Sequence, residues 1–276
     1  MSNDSQMPND SQMPDAPQMP AGPQTPTIPS DLQAAVPAPE KSRLIAPLWH
    51  TAIVVGLILI NSFAGSSKLG GVHSSAARIL LYGGTFVTQL VLFLLVWFGI
   101  RLRGLRMRDL IGGRWDTVEK FLLDVAIAAG FWFVSVVLLV GLRIALGTVD
   151  LHNLAKTKDD TLRMLGPIAP HTYLEAGLFV LLSICAGLFE EIIFRGYLQR
   201  QFKALSQNAA IGIAMSAIIF GLGHGYQGPR MMIVLAVFGS LFGILAHLIK
   251  SLRPGMMAHA FQDSLSGISL FFLVRQ

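Results

Sequence analysis

The chain has 276 residues, of which 53% are hydrophobic and only 13% are charged, and its mean hydropathy is +0.57. Soluble domains carry about 25% charged residues, so this composition excludes an ordinary soluble protein and indicates a membrane protein. The net charge of +5 is typical of loops anchored at a membrane surface. Because no basic stretch is interleaved with aromatic residues, we expect membrane lipid and not nucleic acid as a partner.

Residues 1–43 differ in composition from the rest of the chain. They contain a degenerate hexapeptide repeat with proline at every sixth position, namely Pro8, Pro14, Pro20 and Pro26. Such a segment has too few apolar side chains to form a packed core, so we predict a disordered tail rich in Pro, Gln and Met. The tail lacks the basic start and apolar run of a secretory signal peptide. Both a passive tether and a partner-binding segment fit this pattern.

Long apolar stretches follow one another from Leu44 onward, and a membrane-spanning helix needs about 20 mostly apolar residues. Seven segments meet or approach that length: Leu44–Phe63, Ile79–Ile100, Phe121–Leu142, Leu174–Tyr197, Ala209–Gly223, Met231–Ile249 and Gly255–Val274. We therefore predict an all-α fold, a polytopic bundle of about seven transmembrane helices. Three helices would lie in residues 44–172 and four in residues 173–276.

Lys and Arg near the ends of the spans predict the orientation in the membrane. The strongest basic cluster follows the second span: Arg101, Arg103, Arg106, Arg108, Arg114 and Lys120. Placing this cluster in the cytoplasm also places the N-terminal tail there. The connection at residues 143–171, on the opposite side, contains four basic residues, so the bias towards one side is modest.

Glu190 and Glu191 are adjacent carboxylates inside the fourth apolar segment. A charged group at the centre of a membrane costs about 2.5–3.5 kcal/mol on insertion scales, so this pair predicts a functional site. Glu191 and Arg195 are four residues apart and share a helix face, which predicts an ion pair. Glu190 faces a different direction and stays available for proton chemistry.

The last spans supply further polar groups. His224 ends the fifth segment after a glycine-rich stretch, whereas His259 and Asp263 share one face of the seventh. A hydrogen bond between helices would explain any one of these residues. The combination of three helices that carry carboxylate or imidazole groups indicates a shared site, in which Glu190, His224 and His259 lie within about 10 Å of one another.

Such a site activates water in one of two ways. Glu190, His224, His259 and Asp263 could bind a divalent metal such as zinc, which lowers the pKa of bound water. Alternatively, Glu190 and His224 deprotonate water while His259 and Asp263 stabilise the oxyanion. The chain has no HExxH motif, so the sequence leaves the choice open.

The residues at these positions resemble three motifs of the CPBP family, the CAAX proteases and bacteriocin-processing (Abi-type) enzymes. Glu190–Gly196 reads EEIIFRG and resembles the EExxxRG motif. Phe220–His224 resembles the FxxxH motif, and His259–Asp263 resembles the HxxxN/D motif in its aspartate form. The resemblance covers roughly Tyr173–Val274, so residues 173–276 would form the catalytic core.

The resemblance implies an intramembrane endopeptidase, often described as a metalloprotease, with a peptide or protein substrate. Glu190 and His224 would then activate water, His259 and Asp263 would support the oxyanion or a metal, and Glu191 with Arg195 would stabilise the site. We expect a plasma membrane of the bacterial type. Prenylated substrates are not implied, and a catalytically silent scaffold or immunity protein, or a transporter, would also explain polar groups within the membrane.

The order of the spans raises a question of depth. If the fourth span runs inward, Glu190 lies in its inner half, whereas His224 comes late in the next, outward-running span. Either the fifth span starts deep in the membrane, or the fourth helix extends beyond the bilayer through Gln201.

Overall fold

The computed structural model describes residues 42–68 and 72–275 of the chain, and the predicted disorder of the tail concerns residues that lie almost entirely outside these ranges. Within them the regular elements are all helical: α1 (Leu48–Lys68), α2 (Ser75–Arg101), α3 (Met107–Ile111), α4 (Val118–Ala145), α5 (Leu154–Leu165), α6 (Tyr173–Glu190), α7 (Gln199–Ser206), α8 (Ala209–Gly223), α9 (Pro229–Ile249) and α10 (Arg253–Leu273). A π-helix joins α6 to α7, and 3₁₀ turns follow α5 and α8. Each of the seven predicted spans is helical, which confirms the all-α fold.

Four helical segments are long and apolar enough to cross a membrane: α2, α4, the continuous run Tyr173–Ser206, and α9. Two further apolar helices, Leu48–Ala64 and α8, are shorter. Helix α10 has 21 residues but carries His259, Gln262 and Asp263. The outer face of α4 is apolar and exposed, as expected for a helix that contacts lipid.

Two short helices in the connections were not predicted. Helix α3 has only five residues, and α5 is an amphipathic helix with no buried residue. Asn153 begins α5, because its side-chain oxygen accepts a hydrogen bond from the backbone N–H of Lys156 at 2.9 Å. Too few apolar residues lie in either segment to produce a span-like pattern.

The start of α6 is fixed by a polar cap and a buried ion pair. The hydroxyl of Thr172 accepts a hydrogen bond from the N–H of Glu175 at 3.2 Å. The carboxylate of Glu175 in turn lies 2.8 Å from Nε of Arg78 on α2, and both side chains are buried. This ion pair connects an N-terminal helix to the helix that carries the two adjacent glutamates.

Small residues bring the last helices close together. A Cβ atom at Gly187 of α6 would lie 2.6 Å from the backbone nitrogen of Ala260 on α10, so only glycine fits there. At Gly239 of α9, a Cβ would lie 3.1 Å from Cα of Ala217 on α8. Close backbone approach of this kind is typical of helix packing in membranes.

The predicted boundary near residue 172 stays a prediction, since Lys41–Gln276 form one compact unit.

Candidate active site

The two adjacent glutamates lie where the helix changes type. Helix α6 ends at Glu190, and Glu191–Leu198 form a π-helix whose eight residues are all buried. The hydroxyl of Ser216 on α8 donates to the carbonyl oxygen of Phe194 at 2.7 Å, which satisfies a backbone group in the π-helix. The predicted helix is present, but the sequence does not indicate its π-helical turns. π-helical turns are frequent at functional sites.

Helix length resolves the question of depth. The helical run does not end at Tyr197 but continues through α7 to Ser206, and α8 begins after a short turn at Ala209. Glu190 lies sixteen residues before Ser206, where α7 ends, and His224 lies fifteen residues after Ala209, where α8 begins. At about 1.5 Å of rise per residue, both lie roughly 23 Å from the turn. The second alternative, an extended fourth helix, therefore places them at similar depth.

Glu191 contacts two partners at the same oxygen atom. Its Oε1 lies 2.9 Å from Nη1 of Arg195 and 3.0 Å from Nδ1 of His259. All three side chains are at most 3% exposed. The N–H bonds of Nη1 do not point along the shorter contact, so it is an ion pair without hydrogen-bond alignment. The predicted Glu191–Arg195 pair is thus present, and it also reaches the last helix.

Aromatic rings surround the guanidinium of Arg195. The ring centroids of Phe220 and Phe242 lie 4.7 and 5.2 Å from Cζ, which is within the range of cation–π attraction. Nη2 also approaches the carbonyl oxygen of Gly239 at 3.4 Å. The buried positive charge is tolerated here because the carboxylate of Glu191, the two aromatic rings and the carbonyl oxygen of Gly239 compensate it.

Glu190 has a different set of neighbours. Its Oε1 accepts a hydrogen bond from Nε2 of Gln89 on α2 at 2.9 Å, and its Oε2 lies 3.8 Å from Nε2 of His259. The side chain is 16% exposed. The two adjacent glutamates therefore lie at different nitrogens of the same His259 ring, and only Glu190 also accepts a hydrogen bond from Gln89.

His259 lies between three carboxylates. Its Nδ1 faces Glu191, while its Nε2 lies 3.8 Å from Oε2 of Glu190 and 3.6 Å from Oδ2 of Asp263. Because Glu191 is ion-paired, it accepts the hydrogen bond and Nδ1 of His259 carries the proton. Nε2 is thereby directed at the space between Glu190 and Asp263, whose side chain is 39% exposed.

His224 ends α8 with its ring fixed in one tautomer. Nδ1 lies 2.9 Å from the carbonyl oxygen of Phe220, which can only accept, so Nδ1 donates and Nε2 is left as an acceptor. The ring of Phe220 lies 4.7 Å from that of His224 and 6.2 Å from that of His259. In the residues described, His224 makes no ion pair with Glu190 or Asp263. His224 is connected to the rest of the site by the ring of Phe220, which contacts both histidine rings.

Two residues of the site were not predicted. Gln89 is a polar residue in a long apolar helix, and that pattern alone could have marked it. Tyr226 lies in the turn after His224, where burial raises the pKa of its hydroxyl to about 12 and the charges of Glu190 and Asp263 act in the same direction. The hydroxyl of Tyr226 accepts a hydrogen bond from Nε2 of Gln227 at 2.9 Å and senses the charges of both carboxylates, which no sequence signal indicates.

A bound metal ion requires several ligand side chains that converge on one point. Among the described residues, no group of three or more His, Cys, Asp or Glu side chains is arranged to hold a metal ion. Zinc binding by Glu190, His224, His259 and Asp263 stays a prediction.

The fold and site define a helical membrane protein with a buried cluster of glutamate, histidine and arginine side chains. A comparison with protein families matches residues 172–265 to the family described as "Rce1-like: Type II CAAX prenyl endopeptidase Rce1-like". The chain thus carries an Rce1-like domain, which confirms the resemblance to the CPBP intramembrane proteases. The matched residues include all six predicted site residues: Glu190, Glu191, Arg195, His224, His259 and Asp263.

The matched domain and the apolar helices together indicate an integral membrane protein. Neither the curated proteins nor the solved structures gave a match to the chain.

Proposed function

We propose that this protein is an intramembrane endopeptidase in which Glu190 activates water for attack on a peptide bond. The observation that carries the proposal is the position of His259, whose Nε2 lies 3.8 Å from Glu190 and 3.6 Å from Asp263 while its Nδ1 is held by Glu191. An imidazole oriented by one carboxylate and directed at two others is suited to proton transfer and charge stabilisation.

The first step is the attack of water on the substrate carbonyl. Gln89 holds Oε1 of Glu190, which leaves Oε2 as the base, and Nε2 of His224 is an acceptor that orients the water. As the new C–O bond forms, one proton of the water moves to Oε2 of Glu190. The carbonyl oxygen becomes an oxyanion.

The second step is stabilisation and collapse of the tetrahedral intermediate. A His259 ring protonated on both nitrogens directs an Nε2–H donor into the cavity, and Tyr226 supplies a hydroxyl nearby. Glu190 then gives its proton to the amide nitrogen while the C–N bond breaks, which regenerates the carboxylate. Glu191 and Arg195 act through His259, since they touch the ring and each other.

We also propose which end of the helical bundle faces the cytoplasm. The basic residues after α2 lie at the same end of the bundle as Arg200, whose Nη1 and Nη2 donate to the carbonyls of Asp109 and Leu110 at 2.7 Å. The connection between α9 and α10 meets the same loop, where the N–H of Leu252 donates to Ile111 at 2.8 Å. Positive-inside bias would make this end, and the N-terminal tail, cytoplasmic in a bacterial-type plasma membrane.

Purified protein in detergent would be incubated with a farnesylated CAAX-type peptide and with the same peptide lacking the prenyl group. Wild type should release a C-terminal fragment, and Glu190→Gln should not. Glu119→Gln removes an exposed carboxylate of α4 and serves as the matched control. If wild type and Glu190→Gln cleave equally, Glu190 is not the base. If none of the proteins cleaves either peptide, or any of a mixed peptide library, the silent-scaffold alternative is favoured.

The metal question needs a separate measurement on the same preparations. Metal content would be determined before and after treatment with a chelator, and cleavage would be assayed on both samples. Loss of cleavage together with one equivalent of zinc would favour the metal-dependent alternative. Full cleavage by a metal-free sample would favour water activation by Glu190 and His224.

A further inference from the structure

The end of the bundle away from His224 contains a basic cavity that the proposed reaction does not use. The cavity has a volume of about 570 Å³ and lies between the connection after α2 and the start of α10. Four of its lining residues are basic: Arg108, Arg114, Lys120 and Arg253. Two acidic residues, Asp109 and Asp116, also line the cavity, and a third, Asp124, contacts Arg253 from behind its wall.

The two acidic residues of the lining each have a partner of their own. Oδ2 of Asp116 lies 2.6 Å from Nζ of Lys120, and Oδ2 of Asp109 accepts the backbone N–H of Arg106 at 2.8 Å. Arg108 lies 3.9 Å from Asp109 with more than half of its side chain exposed, so that ion pair is weak. In the described part of the chain, Arg114 has no acidic partner. The cavity therefore keeps a net positive charge, because its four basic residues meet only three carboxylates, those of Asp109, Asp116 and Asp124.

Arg253 is held rigidly in the cavity wall. Its Nε lies 3.0 Å from Oδ2 of Asp124, which also accepts a hydrogen bond from Nε1 of Trp115 at 2.7 Å. The ring centroid of Trp115 lies 5.3 Å from the guanidinium carbon, and a Cβ at Gly113 would lie 2.9 Å from Nη2. Nη1 is buried without a hydrogen-bond partner among the described residues.

An arginine held at its Nε by Asp124, in the same cavity wall as an exposed arginine without an acidic partner, is suited to an anion with several oxygen atoms. Phosphate matches the donor geometry of arginine and accepts several hydrogen bonds at once. The cavity lies between the end of α2 at Arg101 and the start of α4 at Val118, where apolar helices end, and Trp115 is half exposed beside it. Tryptophan at such a position is typical of the membrane interface.

We propose that this cavity binds a negatively charged phosphate group, supplied by the headgroup of an anionic phospholipid or by free phosphate. The proposal concerns a site distinct from the peptide-cleaving cluster and does not depend on the proposed protease activity. General positive-inside anchoring would also attract anionic lipid, but it would not distinguish residues that line the cavity from equally exposed basic residues beside it.

The full-length protein in a neutral detergent would be titrated with three ligands: short-chain phosphatidylglycerol, short-chain phosphatidylcholine and inorganic phosphate. Bound ligand would be counted by native mass spectrometry. The cavity variant is Arg108→Gln/Arg114→Gln, and the control is Arg101→Gln/Arg103→Gln, which removes the same charge from exposed residues outside the cavity. Because all four side chains are exposed, we expect the unfolding midpoints to be unchanged.

We expect wild type to bind one phosphatidylglycerol, the cavity variant to bind it about tenfold more weakly, and the control to change by less than twofold. Tight phosphatidylglycerol with weak inorganic phosphate would identify the lipid as the source. Equal affinities for both, with the same loss in the cavity variant, would identify free phosphate. Equal loss in both double variants, equal affinity for phosphatidylcholine, or no saturable binding of phosphatidylglycerol or phosphate would overturn the proposal.

Discussion

Gln89 on α2 donates a hydrogen bond of 2.9 Å to Oε1 of Glu190, although the two residues are 101 positions apart in the chain. The residues matched to the family begin at position 172, so this donor comes from outside them. The early helices of this chain therefore contribute directly to the candidate active site. A positioning role for Gln89 follows, because the hydrogen bond fixes which carboxylate oxygen of Glu190 faces His259.

Replacing Gln89 by Leu should lower kcat by about tenfold and leave KM nearly unchanged, because the base becomes mobile while substrate contacts stay intact. A merely structural role would lower the unfolding midpoint and leave kcat unchanged. Gln89→Asn, which keeps an amide donor, should recover part of the rate.

Removing the proposed base should abolish most of the cleavage. Glu190→Gln keeps the size of the side chain and an acceptor for Gln89, but it cannot take a proton from water. General-base catalysis contributes about 10²–10⁴-fold, so we expect kcat to fall by that range. Peptide cleavage followed by mass spectrometry would measure the rate, with Glu119→Gln as control. A loss of less than tenfold would assign the base to another residue.

Glu191 and Arg195 should be coupled in stability but not in activity. Arg195→Met leaves a buried carboxylate without its cation, which typically costs about 3–5 kcal/mol. The double variant Glu191→Leu/Arg195→Met removes both charges and should recover most of that stability. It should remain inactive, because Glu191 also holds Nδ1 of His259 at 3.0 Å. Denaturation in mixed detergent and cleavage assays would separate the two effects, and a double variant as unstable as the single one would contradict the coupling.

The relationships within one helix were predictable, and those between helices were not. Spacing of four residues predicts that Glu191 meets Arg195 and that His259 lies near Asp263, because helix geometry alone places them together. The contact between Glu191 and His259 depends on how α6 packs against α10, which the apolar pattern does not specify. Seven long apolar segments predict seven helices, since the membrane leaves few alternatives.

Other features depend on details that hydropathy does not contain. The carbonyl of Phe194 in the π-helix accepts both the backbone N–H of Gln199 and the hydroxyl of Ser216 on α8, so a contact between helices supports this local geometry. The amphipathic helix α5 has too few apolar residues to register as a span. Tyr226 lies in the 3₁₀ turn that follows α8, so its position depends on where that helix ends.

Tyr226 should affect the pH dependence of stability but not that of catalysis. Its hydroxyl has a pKa of about 12 instead of 10, so the folded state holds this proton more tightly than the unfolded state does. The resulting stabilisation is complete below pH 10 and is lost as the pH rises towards 12. Tyr226→Phe should therefore reduce the number of protons released on unfolding near pH 11 by about one.

The same variant should keep the shape of the pH–rate profile below pH 10, because the wild-type hydroxyl stays protonated throughout that range. If Tyr226 donates to the oxyanion, kcat should fall by about 10²-fold, as for other oxyanion donors. An altered profile near neutral pH would show that the phenol titrates during catalysis, contrary to its burial.

Close packing of α6 against α10 should be tested at two glycines of the same helix. A Cβ at Gly187 would lie 2.6 Å from the nitrogen of Ala260, whereas a Cβ at Gly177 would have no atom within 4 Å. Gly187→Ala should push the helices apart and cost about 1–3 kcal/mol, the usual range for overpacking. The shift should also weaken cleavage, since α10 carries His259.

Gly177→Ala is the matched control, because it makes the same chemical change in the same helix without a clash. It should leave cleavage unchanged and stabilise the helix slightly, by up to about 1 kcal/mol. Unfolding midpoints in mixed detergent and cleavage rates would be measured for both variants. Equal midpoints for the two variants would show that α6 and α10 do not pack at Gly187 as closely as the structure has them, and the position of His259 beside Glu191 would then need another explanation.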